Sequence, residues 1–172
     1  DHEASVKVFF KNLMDKGDIY KGTYEGWYCV PDEKYVLEKE MGENNTCPEC
    51  GRALTRLKEE NYFFRLSKYQ NALIDHYEKN PDFVQPDFRR NEMLARLKTD
   101  TLMDLSISRN KNVMPWGIAM PGDDNHVIYV WFDALLNYIT GLGYGKKDTE
   151  KLEKYWPADV HLIGKEINWF HS

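Results

Sequence analysis

Within a polar stretch from residue 31 to residue 60 the chain carries Cys47-Pro-Glu-Cys50-Gly51, and no other feature restricts its folding as much. Two thiolates two residues apart in a tight turn can point at one ion while the turn's backbone N–H groups satisfy the sulfurs. The stretch has too little apolar surface to fold unaided, so a metal is its natural staple. A tetrahedral site needs a second pair of ligands. Cys29-Val-Pro-Asp32 begins 18 residues upstream of Cys47, with the same spacing and a carboxylate in the second place. Zinc accepts carboxylate oxygen, so Cys29, Asp32, Cys47 and Cys50 form a candidate site of three thiolates and one carboxylate. Glu33 is an alternative source of the oxygen. Four protein ligands leave no open coordination position, which implies a structural zinc, worth on the order of 10 kcal/mol to folding the segment, rather than a catalytic one. A redox pair and a weakened metal site remain alternatives.

The third Cys makes the count odd, which suits a metal site in a reducing, cytoplasmic compartment better than a disulfide framework. A length of 172 residues fits one domain with a small insert. No apolar run approaches the roughly 18 residues of a membrane span, so no membrane partner is expected. The net charge of −5 argues against a surface that grips nucleic acid throughout, although residues 89 to 111 carry six Lys or Arg against three Asp or Glu.

Val6, Phe9, Phe10, Leu13 and Met14 recur at helical spacing, and Gly17 is the expected stop. Ile19 to Val30 reads as extended structure with bends at Gly22 and Gly26, and residues 31 to 60 as irregular. Ser67 with Gln70 makes a capping box for a helix that runs to Asn80-Pro81, and a second helix covers roughly Arg89 to Lys98. Val127 to Phe132 has the continuous apolar character of a strand covered on both faces, with Asp133 capping a helix that Gly141 closes. Asp159 to Ile163 reads as a further strand, and Gly164 leads into a last helix. Strand, helix, strand, helix predicts a parallel sheet, and two such strands need neighbours, so the chain is expected to be an excised piece of a larger fold.

Ligands of parallel sheets bind beyond the carboxyl ends of the strands. Trp131, Ala134 and Tyr138 share one side of the first strand end, while Ile167, Phe170 and His171 share one side of the helix after the second. Together they would make an apolar aromatic box for an unbranched, polarisable side chain such as a thioether. Ordinary core packing is the competing reading of the same stripe.

The segments Tyr24-Glu-Gly-Trp-Tyr-Cys29, Glu60-Asn-Tyr-Phe-Phe64, Arg90-Asn-Glu92, Ser106-Ile-Ser-Arg109, Trp116-Gly117, Tyr129-Val-Trp-Phe-Asp-Ala134, Tyr155-Trp-Pro157, Gly164-Lys-Glu-Ile167 and Phe170-His-Ser172 together resemble the methionyl-tRNA synthetase family nearly end to end. The resemblance implies an α/β fold: a partial Rossmann-like parallel sheet with an inserted α+β zinc-knuckle subdomain. Residues 1–20 would end the first half of the nucleotide-binding fold. Residues 21–104 would form the connective insertion, with the knuckle in 21–60 and helices in 61–104, and residues 105–172 would open the second half. It implies a ligase that makes methionyl adenylate from methionine and ATP and passes the methionyl group to tRNA. Carried over by position, the methionine pocket falls on Trp131, Ala134, Tyr138, Ile167, Phe170 and His171. Arg109 organises the acidic groups around the substrate, and Gly164 and Glu166 hold the adenosine. Glu166 stands where Asp is commoner, Leu105 where some members carry Trp and Leu135 where some carry Pro. Asp32 departs from the usual pair of Cys-x-x-Cys knuckles. The family's His-Ile-Gly-His and Lys-Met-Ser-Lys-Ser elements, which stabilise the transferring phosphate, do not occur in these residues. The isolated chain is therefore expected to make no adenylate.

Two other classes compete. A non-catalytic zinc module that positions RNA would use the knuckle and the basic stretch from Arg89 to Lys111. Synthetases for leucine, isoleucine or valine share the Trp-x-Asp element but carry a much larger insertion. A metal-dependent hydrolase fails on chemistry, because His76, His126 and His161 form no ligand-spaced cluster.

Overall fold

A computed structural model describes residues 1–32, 34–36 and 38–171, so the expectations that touch Glu33 and Ser172 lie outside the described residues. The first helix, α1 (His2–Asp15), buries Val6 and Phe10 and ends where Gly17 takes φ +73°, a conformation that costs a residue without Cβ little. The chain then runs out along β1 (Ile19–Cys29), turns through β2 (Lys34–Val36) and a 3-10 turn (Glu38–Glu40), and comes back along β3 (Thr55–Phe64). Ten residue pairs, from Ile19 with Phe64 to Tyr28 with Thr55, make one antiparallel ribbon. Neither Gly22 nor Gly26 interrupts β1.

Two helices follow, α2 (Gln70–Lys79), entered by a 3-10 turn (Leu66–Tyr69), and α3 (Asp87–Thr99). They share a small core of Tyr77, Met93, Leu97 and Leu102. The short strands β4 (Leu105–Ser106), β5 (Ser108–Asn110), β6 (Ala119–Met120) and β7 (Asp123–Ile128) return the chain to the base of the ribbon. The remaining helices are α4 (Val130–Ala134), α5 (Asn137–Thr140), α6 (Glu150–Tyr155) and, after a 3-10 turn (Lys165–Ile167), α7 (Asn168–His171).

Both sheets are antiparallel along their pairings, in the orders β2-β1-β3-β4 and β5-β7-β6. The expected parallel sheet is absent from the described residues. Residues 159–163 form no strand: no backbone ladder pairs them with another described segment, and His161 meets its neighbours only through its ring. Val160 and Leu162 are 72% and 95% exposed, so this segment stands with its apolar side chains in the open. The apolar run 127–132 is also split: β7 ends at Ile128, and Tyr129, not Asp133, stands at the start of the following helix α4. A continuous apolar run does not distinguish a buried strand from a buried helix, and here it serves as both.

Residues 55–60, read as irregular, belong to β3. They are mostly exposed, so no apolar alternation marks them. The capping box of Ser67 and Gln70 does not form. The Ser67 hydroxyl donates to Asp104 Oδ1 at 2.5 Å, and Gln70 bridges to the end of α3, donating to Leu97 O and Asp100 O at 2.8 and 2.7 Å while accepting from Leu102 N at 3.1 Å.

At the base of the ribbon, Val6, Phe10, Ile19, Tyr62, Ile107, Met120, Ile128 and Leu136 form the main core, so α1, the ribbon and the 105–136 region are packed as one body. A polar knot, buried at Tyr62 and His126 and open at Lys21, lies against it. Asp123 Oδ2 accepts from Lys21 Nζ at 3.0 Å and from the Tyr62 hydroxyl at 3.1 Å, and His126 Nδ1 is 3.0 Å away. The other ring nitrogen of His126 lies 2.8 Å from Glu60 O. Burial opposes the charge on Asp123, but the Lys21 ammonium, the Asn125 backbone N–H, the Tyr62 hydroxyl and His126 outweigh it and hold the carboxyl well below its usual range.

Candidate metal centre and aromatic pocket

At the tip of the ribbon, Cys29 ends β1, and Asp32 follows at the turn that begins after it. Cys47 and Cys50 come from a second turn, in which Gly51 N donates to Cys47 O at 2.9 Å and Gly51 sits at φ +71°. Ligand atoms of Cys29, Asp32, Cys47 and Cys50 all lie within 4.8 Å of one another. Cys29 Sγ and Cys47 Sγ are 3.0 and 3.1 Å from Asp32 Oδ2, and Cys29 Sγ is 3.4 Å from Cys50 Sγ. Cys29 and Cys47 are fully buried, and no disulfide joins the three. The surrounding core is small: among the described residues Val36 and Leu54 are its only buried members besides the two cysteines, with Trp27 and Met41 partly buried against it. Burial first, then the Asp32 carboxylate, push the Cys29 thiol up to about 12. A cation among these groups reverses that preference by stabilising thiolate, and the donor set of three sulfurs and one oxygen suits zinc.

The aromatic residues expected to converge do so through two contacts between α4–α5 and α7. The rings of Trp131 and Phe170 stack at 5.4 Å between centroids, inclined by 10°. The Tyr138 hydroxyl is 2.9 Å from His171 Nε2, and His171 Nδ1 is 2.9 Å from Ile167 O. A carbonyl only accepts, so Nδ1 donates to Ile167 O, and in the neutral ring Nε2 accepts the Tyr138 O–H. Trp131 and Phe170 remain 44% and 42% exposed, an aromatic slab of this size left open to solvent. Ala134 lies one turn beyond Trp131 on α4.

Two aromatic groups join this wall that spacing did not reveal. His161 meets the Tyr138 ring edge-on at 4.9 Å, and Trp156 meets His161 at 5.9 Å. They come from an irregular segment, where no periodicity could have pointed to them.

Arg109 lies on β5. Its Nη1 donates to Ser108 O at 2.8 Å and to Ser106 Oγ at 3.3 Å, and its guanidinium lies 3.9 Å over the Tyr129 ring, two residues before Trp131. Gly164 and Glu166 flank the start of the 3-10 turn that leads to α7. Glu166 is exposed and pairs with Lys165 at 3.8 Å. The chain brings these two near the slab in sequence, and no contact joins them to it among the described residues.

The basic stretch is largely occupied internally. Arg89 pairs with Glu92, Arg90 donates to Pro81 O, Arg96 pairs with Asp100 and Lys98 pairs with Glu78. No helix among the described residues is long and apolar enough to cross a membrane.

The family described as tRNA synthetases class I (M) matches residues 1–56 and 51–172. A methionine–tRNA ligase of Thermotoga maritima is 55% identical over 174 residues, covering 99% of this chain and 27% of the relative. One from Caldanaerobacter subterraneus is 54% identical, covering 99% and 26%. A solved structure of the Mycobacterium tuberculosis methionyl-tRNA synthetase in complex with methionyl-adenylate superposes with a TM-score of 0.85 at 44% identity, over 99% of this chain and 34% of that one. The chain thus spans about a quarter of the length of the curated relatives it matches. By the extent of that match and by its fold, the chain belongs to the methionyl-tRNA synthetase family of class I tRNA synthetases.

Proposed function

We propose that this chain supplies the methionine pocket and the structural zinc insertion of a methionine–tRNA ligase, which activates methionine with ATP to methionyl adenylate and then transfers the methionyl group to tRNA. The observation that carries the reading is the Trp131–Phe170 slab beside the Tyr138–His171 hydrogen bond. A flat, open aromatic surface gives a thioether a favourable sulfur–ring contact, and a hydroxyl held by an imidazole closes one side with a directed polar group. Ala134 and Ile167 complete the wall. The relative solved with methionyl-adenylate supports the same assignment.

In this reading residues 1–20 close the first half of a Rossmann-like nucleotide-binding fold, 21–104 are the connective insertion and 105–172 begin the second half. Residues 159–163, with Val160 and Leu162 bare, then join a parallel sheet completed by other parts of the ligase. Arg109, braced by two oxygens and the Tyr129 ring, orients acidic groups around the substrate, while Gly164 and Glu166 lie toward the adenosine of ATP. Zinc bound by Cys29, Asp32, Cys47 and Cys50 would close the tip of the ribbon and take no part in the reaction. The free thiols suit the cytoplasm.

In the full-length ligase, Trp131→Ala should raise the KM for methionine by about 30-fold, the equivalent of about 2 kcal/mol of lost apolar and stacking contact, in an ATP–pyrophosphate exchange assay. An unchanged methionine KM would sink the pocket. The 172 residues alone should show no exchange above a blank, since the phosphate-stabilising elements are elsewhere. Measurable exchange by this chain would overturn that division of labour.

A further inference from the structure

Helix α7 has only four residues, Asn168–His171, too few to hold a direction by its own hydrogen bonds. Its orientation depends on what its side chains grip. Phe170 and His171 turn to Trp131 and Tyr138, while Trp169, between Asn168 and Phe170, turns the other way and packs against the Tyr77–Met93–Leu97–Leu102 core of α2 and α3. There the guanidinium of Arg96, on α3, lies 3.9 Å over the Trp169 ring, and Asp100 braces it from the next turn at 3.6 Å. Trp169 therefore links the inserted helix pair to the aromatic slab, and Asn168 beside it is buried.

We infer that Arg96 is a positioning residue for methionine binding: through Trp169 it fixes the pose of α7, so that Phe170 and His171 reach Trp131 and Tyr138. A planar cation over an indole resists rotation of the ring as well as separation from it, which an aliphatic contact does not. The inference rests on the slab being the methionine site.

The test is ATP–pyrophosphate exchange by the full-length ligase carrying Arg96→Ala, Arg96→Lys or Trp131→Ala. Arg96→Ala should raise the methionine KM about tenfold, with the ATP KM held within about twofold and the thermal midpoint unchanged. Arg96→Lys keeps a cation over the ring and should recover at least about half of the loss on a logarithmic scale. A merely structural role would move both KM values and the midpoint together, and that pattern overturns the inference. A methionine KM within about twofold of wild type in Arg96→Ala, while Trp131→Ala raises it, also overturns the inference and leaves the pocket standing. If Trp131→Ala leaves the methionine KM unchanged, the pocket reading and this inference fall together.

Discussion

Treating the protein with a strong zinc chelator should open the segment between Cys29 and Leu54 while the β1–β3 ladder stays closed. The reason is the size of the core at the ribbon tip, where Val36 and Leu54 are the only buried apolar side chains apart from the cysteines among the described residues. Burial on that scale cannot offset the ordering of more than twenty residues, whereas a structural zinc contributes on the order of 10 kcal/mol. The amides to watch are Cys47, which donates to Arg52 O at 2.8 Å, and Leu54, which donates to Asn45 O at 2.9 Å. Their hydrogen exchange should accelerate on the order of a thousandfold on chelation, with little change at the ladder amides of Ile19 to Tyr28. Unaltered protection at Cys47 and Leu54 would mean that the tip folds without an ion. Asp32→Ala identifies the oxygen ligand in the same preparation: metal content should fall below one equivalent, and retention of a full equivalent would assign the fourth ligand elsewhere.

The polar knot at the base of the ribbon should give the second large effect. Asp123→Ala takes the acceptor from Lys21, Tyr62 and His126 at once and from the Asn125 backbone as well. Lys21 is part-exposed and keeps its ion pair with Glu60 at 2.6 Å, but leaving the buried Tyr62 hydroxyl and His126 ring unmatched costs about 3 kcal/mol, or a fall of roughly 9 °C in thermal midpoint for a chain of this size. The dependence on pH has a definite sign. The folded state holds the Asp123 carboxyl below its ordinary range, so its contribution is complete above about pH 5 and is lost as the pH falls toward the folded value. The midpoints of wild type and Asp123→Asn should therefore approach each other between about pH 5 and pH 3. Parallel curves across that window would remove the network from the stability of the base.

How far these features could be read beforehand depends on the physics behind each signal. Helix α1 was legible because one buried face repeats every three to four residues, and Gly17 marked its end without help from tertiary structure. The candidate metal site was legible for a different reason: Cys29, Asp32, Cys47 and Cys50 are paired by local spacing, and bringing the pairs together requires only that β1 and β3 lie side by side. Strand β3 was hidden because its outer half is polar on both faces. The strand expected at 127–132 failed because apolar character reports burial and not backbone shape, and the chain bends at Tyr129 into α4. The capping box failed because Asp104, a distant residue, took the Ser67 hydroxyl. His126 looked inert in sequence, since its partners Asp123 and Glu60 O form no metal-ligand pattern, yet it lies in the polar knot of the base. Convergence of Trp131 with Phe170 and of Tyr138 with His171 was anticipated from side-sharing along two segments, although the parallel strands invoked to bring them together are not what the described residues form.

The ribbon itself has a mechanical consequence. Ten paired residues at about 3.3 Å each make an arm on the order of 33 Å, with the knuckle at its free end and the Tyr62–Asp123 contact near its pivot. A tilt of about 5° at the pivot sweeps the tip through roughly 3 Å, while side chains near the fulcrum shift by a small fraction of that. Reach and grip are thereby separated along one hairpin, so either can be retuned without disturbing the other.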